Sequence, residues 1–237
     1  MKKRIWELDV LRGICIIGML AVHFIYDMQD LFYIQLFSNS KLYDLIVEWG
    51  GVLFFLISGI CATLGSRPVR RGLIVVGCGL VVSAVTYGLY ALGFAGRSMI
   101  IYFGVLHCLG CCMLLWPLVR KLPWPVLAAI AAVLIFVGLS IVSVYLPTGL
   151  WLIPIGFKSP GFASADYFPL LPYFGFFLTG SVLGRLLYKN KQTLFPKVSE
   201  KNILVRFFSL FGKWSLLIYM LHQPVFTGIL FVLEVIL

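Results

Sequence analysis

His23 and Asp27 stand one helical turn apart in "AVHFIYDMQD", at the close of an apolar run that begins at Leu11. An imidazole beside a carboxylate makes a general base, because the acid orients the ring and stabilises its cationic form. At 100° per residue, Asp9, Arg12, His23, Asp27 and Asp30 share an arc of about 60° on one helix, with Arg12 about 16 Å from His23 along the axis. In an apolar helix such a stripe is costly, and it faces the bundle interior or a water-filled path.

The other two histidines also fall in apolar runs. His107, in "YFGVLHCLG", is expected at a depth close to that of His23 and could assist a base or stabilise an oxyanion. His222, in "YMLHQPV", precedes Gln223 and Pro224; proline offers no amide, which predicts a kink beside an imidazole and an amide. Asp166, in "DYFPLLPYFG", lies where a helix should start and is better placed to cap amides there than to catalyse. With Tyr167, Tyr173, His222 and Gln223 it completes the candidate substrate path. All six cysteines lie within predicted helices, so "CLGCC" reads as close packing by small residues rather than as disulfide chemistry. No metal site is expected.

The elements that carry these residues are membrane helices. Of the residues 61% are hydrophobic and 12% charged, with mean hydropathy +1.02. Crossing the hydrocarbon takes roughly 20 apolar residues, and about seven runs qualify: Leu11 to Met28, Glu48 to Ser66, Leu73 to Gly93, Met99 to Val119, Val126 to Leu146, Phe168 to Tyr188 and Phe208 to Phe231. With the N-terminus cytoplasmic and the C-terminus external, every Lys and Arg falls inside except Lys41, Arg97 and Lys158. The net charge of +10 is mostly this topology signal and calls for no nucleic acid. The acids Glu7 and Asp9 argue against a cleaved leader. The fold class is therefore all-α, one polytopic domain over residues 1–237. Two external loops, 29–47 and 147–167, are long enough for lids or binding loops, or hold aromatic belts. Gly180-x-x-x-Gly184 permits close packing, either within the bundle or in a homodimer.

"LDVLRGICIIGMLAVHFIYD", "FFLISGI", "YFGVLHCLG", "DYFPLLPYFGFFLTG" and "WSLLIYMLHQPV", in that order, resemble the bacterial membrane proteins grouped with the catalytic domain of heparan-alpha-glucosaminide N-acetyltransferase. The resemblance implies a multi-pass protein of the bacterial cytoplasmic membrane that moves an acetyl group from cytoplasmic acetyl-CoA to a sugar or glycan on the far side. In the lysosomal enzyme the proposed catalytic histidine lies in the external loop after the first of these helices. The matching stretch here, around "LFSNSKLYDLIVEW", has none, so His23 or His107 takes the role or the activity differs. On this reading Arg12, with Arg67, Arg70 and Arg71, holds the CoA phosphates, since guanidinium forks suit phosphate. Two alternatives stay open from the residues alone: a transporter or flippase using the polar stripe as its path, and a b-type haem held by His23 and His107.

Overall fold

The computed structural model describes residues 4–32, 41–141 and 150–236. Among these are eight α-helices: α1 (Trp6–Phe32), α2 (Lys41–Leu64), α3 (Pro68–Ala91), α4 (Val105–Val119), α5 (Trp124–Ile141), α6 (Leu170–Leu187), α7 (Ile203–Lys213) and α8 (Ser215–Ile236). Five of them, α1, α2, α3, α5 and α6, are long and apolar enough to cross a membrane, and α7 with α8 makes a sixth if the bent pair is one span. The chain is an all-α polytopic membrane protein, as its apolar runs require.

Three elements depart from the sequence expectation. The fourth run does not begin at Met99: residues Arg97–Met99 form one 3-10 turn, and α4 begins only at Val105. Its 15 residues span about 22 Å, short of a hydrocarbon core of about 30 Å. The seventh run is two helices, broken at Trp214 and bent by 77°. The helix runs unbroken through Pro224, where the kink was expected. The expected loop at 29–47 is largely helix, since α1 reaches Phe32 and α2 starts at Lys41. What remains of it, 33–40, and residues 142–149 lie outside the described residues.

The chain gathers into two compact units, residues 1–54 with 190–237, and 55–189. In the first, α7 packs on α1 through glycines. A methyl at Gly13 would overlap the Phe208 carbonyl, and one at Gly212 would overlap the Asp9 carbonyl. As α1 advances from 9 to 13, α7 retreats from 212 to 208, so the two helices run antiparallel at their closest approach. The segment before α7 is stapled to the start of α1: the Thr193 hydroxyl and the Leu194 amide donate to the buried Glu7 carboxylate at 2.9 and 2.8 Å. Glu7 thus closes a contact across most of the sequence.

In the second unit, α3 turns Gly72, Val75 and Gly79, a stripe of helical period, toward α4. Helix α4 is apolar but for His107, and its residues 105–110 are all buried, so it is the interior helix of this unit. The glycines of Gly180-x-x-x-Gly184 lie against Leu56 and Ile60 of α2, so this motif packs within the chain.

Candidate functional site

Helices α1 and α8 bring four of the candidate residues together within the first unit. The Gln223 amide nitrogen donates to both oxygens of Asp27, at 3.1 and 3.0 Å. One turn away on α1, the His23 ring meets the His222 ring edge-on, with centroids 4.9 Å apart and planes at 67°. Phe24 and Phe226, 5.5 Å apart, close the same seam. His222 is 8% exposed, packed against Tyr219 and Phe226, and its Nδ1 lies 2.6 Å from the Tyr219 carbonyl. A carbonyl oxygen only accepts, so Nδ1 carries the hydrogen. The polar stripe on α1 thus continues onto α8, which the spacing on α1 alone could not reveal. The side chain of Asp30, expected on the same stripe, lies outside the described residues.

His107, Asp166, Tyr167 and Tyr173 belong to the second unit. Asp166 caps a helix, though not the one it precedes: its Oδ2 accepts the Val105 amide at 3.0 Å, at the start of α4 and 61 residues back in the chain. His107 Nδ1 accepts the Gly104 amide at 3.2 Å. That bond leaves the hydrogen of the neutral ring on Nε2, which faces the Ser83 hydroxyl at 3.3 Å, while Ser83 itself donates to the Ile101 carbonyl. Both ring nitrogens of His107 are therefore engaged, Nδ1 at the start of α4 and Nε2 on Ser83 of α3, and its ring rests against Gly79. Ser83 was not singled out by sequence, because a serine on a helix carries no sign of a partner 24 residues away. Tyr167 donates to the Ile153 carbonyl at 2.8 Å. Burial, with the Cys108 thiol adding to it, pushes its phenol up to about 12; Tyr167 stays a donor at neutral pH and cannot serve there as a base. Tyr173 packs against Phe55 and Phe168, at 5.0 and 4.7 Å. The Cys108 thiol is fully buried and donates to the Pro169 carbonyl at 3.5 Å.

The opposite end of α4 is also held from α6. Arg185 donates to the carbonyls of Leu122 and Arg120, both at 2.6 Å, with its guanidinium 5.5 Å from the Trp116 ring centroid. An acid at the first turn and a base at the last both complement the helix dipole, and the pairing makes α4 and α6 parallel. Arg185→Met is expected to leave two carbonyls without their donor and lower stability by about 1–3 kcal/mol for each that stays dry. Arg185→Lys, which lacks the fork, is expected to recover part of that loss. Thermal unfolding in detergent, followed by tryptophan fluorescence, reads the difference.

Of the candidate anion-binding groups, Arg12 donates to Asp9 at 3.4 Å, and Arg4 approaches the other oxygen of the same carboxylate at 3.3 Å. One buried acid therefore faces two guanidinium groups. Arg67, Arg70 and Arg71 are exposed around the first turn of α3.

Residues 4–224 match the model of a protein family described as heparan-alpha-glucosaminide N-acetyltransferase, catalytic. Neither the curated proteins nor the solved structures yield a match. The matched stretch includes all the candidate residues above.

Proposed function

We propose that this chain, which belongs to the heparan-alpha-glucosaminide N-acetyltransferase catalytic family, transfers an acetyl group from cytoplasmic acetyl-CoA to a sugar or glycan acceptor on the far side of a bacterial cytoplasmic membrane. The observation that carries this reading is the α1–α8 cluster. Two imidazoles, a carboxylate and an amide converge on two apolar helices, where unpaired polar groups cost most and are retained for function. Such a cluster can accept a proton from a hydroxyl or amine as it attacks a thioester.

At the other end of α1, Arg12 and Arg4 face the single carboxylate of Asp9. Guanidinium groups such as these, and those of Arg67, Arg70 and Arg71 at the start of α3 in the other unit, are each suited to the phosphates of CoA. The partition of Lys and Arg supports an N-terminus on that same cytoplasmic side. His107, engaged at both nitrogens, holds α4 in place and takes no proton from substrate.

The test is transfer in proteoliposomes, with labelled acetyl-CoA as donor and glucosamine as acceptor. The expected result is thiol release that depends on acceptor, together with labelled N-acetylglucosamine. Arg12→Ala is expected to raise KM for acetyl-CoA about tenfold, the equivalent of one charge-assisted contact. If acetyl-CoA neither releases thiol nor shifts the melting temperature, the donor assignment fails, and a transport path along the polar stripe becomes the better account.

A further inference from the structure

We propose that His222, rather than His23, is the residue that takes the proton from the acceptor nucleophile, an assignment that rests on the acetyl-transfer reading above. Two of the three histidines, His107 and His222, are separated by what their nitrogens do. His107 is used at both: Nδ1 accepts from Gly104, and Nε2 donates to Ser83. His222 is used at one. Its Nδ1–H donates to the Tyr219 carbonyl, so in the neutral ring Nε2 bears a lone pair. That atom is buried, and among the described residues it has no hydrogen-bond partner.

An unpartnered buried nitrogen of this kind is costly and needs a reason. A structural histidine would spend the second nitrogen, as His107 does. The arrangement at His222 is instead half of a proton relay: a fixed acceptor holds the ring and its tautomer, and the opposite nitrogen waits for a donor. Here the backbone carbonyl of Tyr219 does the orienting that a carboxylate performs elsewhere. Asp27, the expected orienting acid, accepts from Gln223, which ties α1 to α8 beside the ring. His23, against the His222 ring at 4.9 Å, forms a wall of the site.

The step balances as follows. The acceptor O–H or N–H donates to His222 Nε2. Its heteroatom attacks the thioester carbonyl as that proton moves to Nε2, and the C–S bond breaks with the electron pair leaving on sulfur. The thiolate then takes the proton from Nε2, restoring the neutral ring. The products are the acetylated acceptor and free CoA.

Two experiments test the assignment. With only three histidines, nitrogen-15 histidine labelling and single substitutions give each ring its own pair of NMR signals. His222 is expected to show a protonated Nδ1 and an unprotonated Nε2, and His107 the reverse. A protonated Nε2 on His222 would overturn the proposal whatever the activity. In the glucosamine assay, His222→Gln is expected to lower kcat about 100-fold with KM for acetyl-CoA unchanged, and His222→Ala to be partly rescued by added imidazole. His23→Gln is expected to lose less than tenfold. Full activity in His222→Gln, or a rescuable loss confined to His23→Ala, would transfer the role to His23 and leave acetyl transfer standing. Absence of transfer in the unsubstituted protein would instead remove the acetyl-transfer reading, and this role with it.

Discussion

Asp166→Ala and Gly104→Ala are each expected to destabilise the protein, and the double variant is expected to melt close to Asp166→Ala alone. The Asp166 carboxylate accepts the first amide of α4 at 3.0 Å, and it occupies the space where a side chain at Gly104 would begin. A helix N-cap is usually a residue whose own oxygen turns back onto the following amides. Gly104 has no such oxygen, and the reciprocal partner His107 is already bonded to the Gly104 amide. The acid that completes the cap arrives from 61 residues away and needs the missing Cβ to enter. Removing it should cost about 1–2 kcal/mol for the cap and its charge at the helix dipole. Adding a methyl at Gly104 should cost about 1–3 kcal/mol by forcing the carboxylate out. With the carboxylate gone the methyl meets chiefly the Ile101 side chain, at 3.0 Å, which can shift. The two substitutions should therefore couple by about 1–2 kcal/mol in a double-mutant cycle. Asp166→Asn, which keeps an accepting oxygen and loses the charge, should fall between. Strict additivity would show that the carboxylate and the methyl do not compete for the same space.

This contact also marks where the sequence stops being informative. Long apolar runs announce α1, α2, α3, α5 and α6, because a bilayer imposes a minimum length that few other constraints mimic. The α1 stripe announces an inward face for the same reason, and Asp27 does meet a polar partner. That Gln223 is the partner follows from the packing of α8 on α1, which no periodicity encodes. Asp166 was legible as a cap because an acid before a helix usually is one; the helix it serves was not, because the local rule assumes a neighbour in sequence. The short α4 was misjudged likewise, since its start is set by a 3-10 turn at Arg97–Met99 and by contacts from elsewhere. His222 stood in the sequence as one more imidazole beside a proline. Only the hydrogen bonds of the His107 and His222 rings show that a nitrogen of His222 is left over.

Gly13→Val and Gly212→Val are each expected to be severely damaging, with most of the expressed protein lost from the folded fraction. Each glycine lies where the backbone of the facing helix occupies the position of its own Cβ: the Phe208 carbonyl at Gly13 and the Asp9 carbonyl at Gly212. Backbone cannot rotate away as a side chain can, so the helices must separate, and well-packed contacts cost about 1–3 kcal/mol or more to overfill. Separation here has a second consequence. Helix α7 leads into α8 across the single residue Trp214, so shifting it moves the start of the helix that carries His222 and Gln223. The opposite side of α7 explains why it stays on α1 rather than continuing straight into α8. Ser209 and Gly212 are buried against their neighbours, while Ile203, Phe207, Leu210 and Trp214 are exposed along one face. Small residues inward and large ones outward favour close approach of the backbones, and a straight continuation would forfeit it. The control is Gly228→Ala on α8, where an added methyl meets nothing within 4 Å among the described residues; it should be neutral or stabilise the helix by up to about 1 kcal/mol. Size-exclusion profiles and melting temperatures of the three variants separate a specific helix contact from a general intolerance of substitution. A Gly212→Val protein that behaves like Gly228→Ala would mean that α7 does not rest on α1 in the membrane, and that the placement of His222 depends on α8 alone.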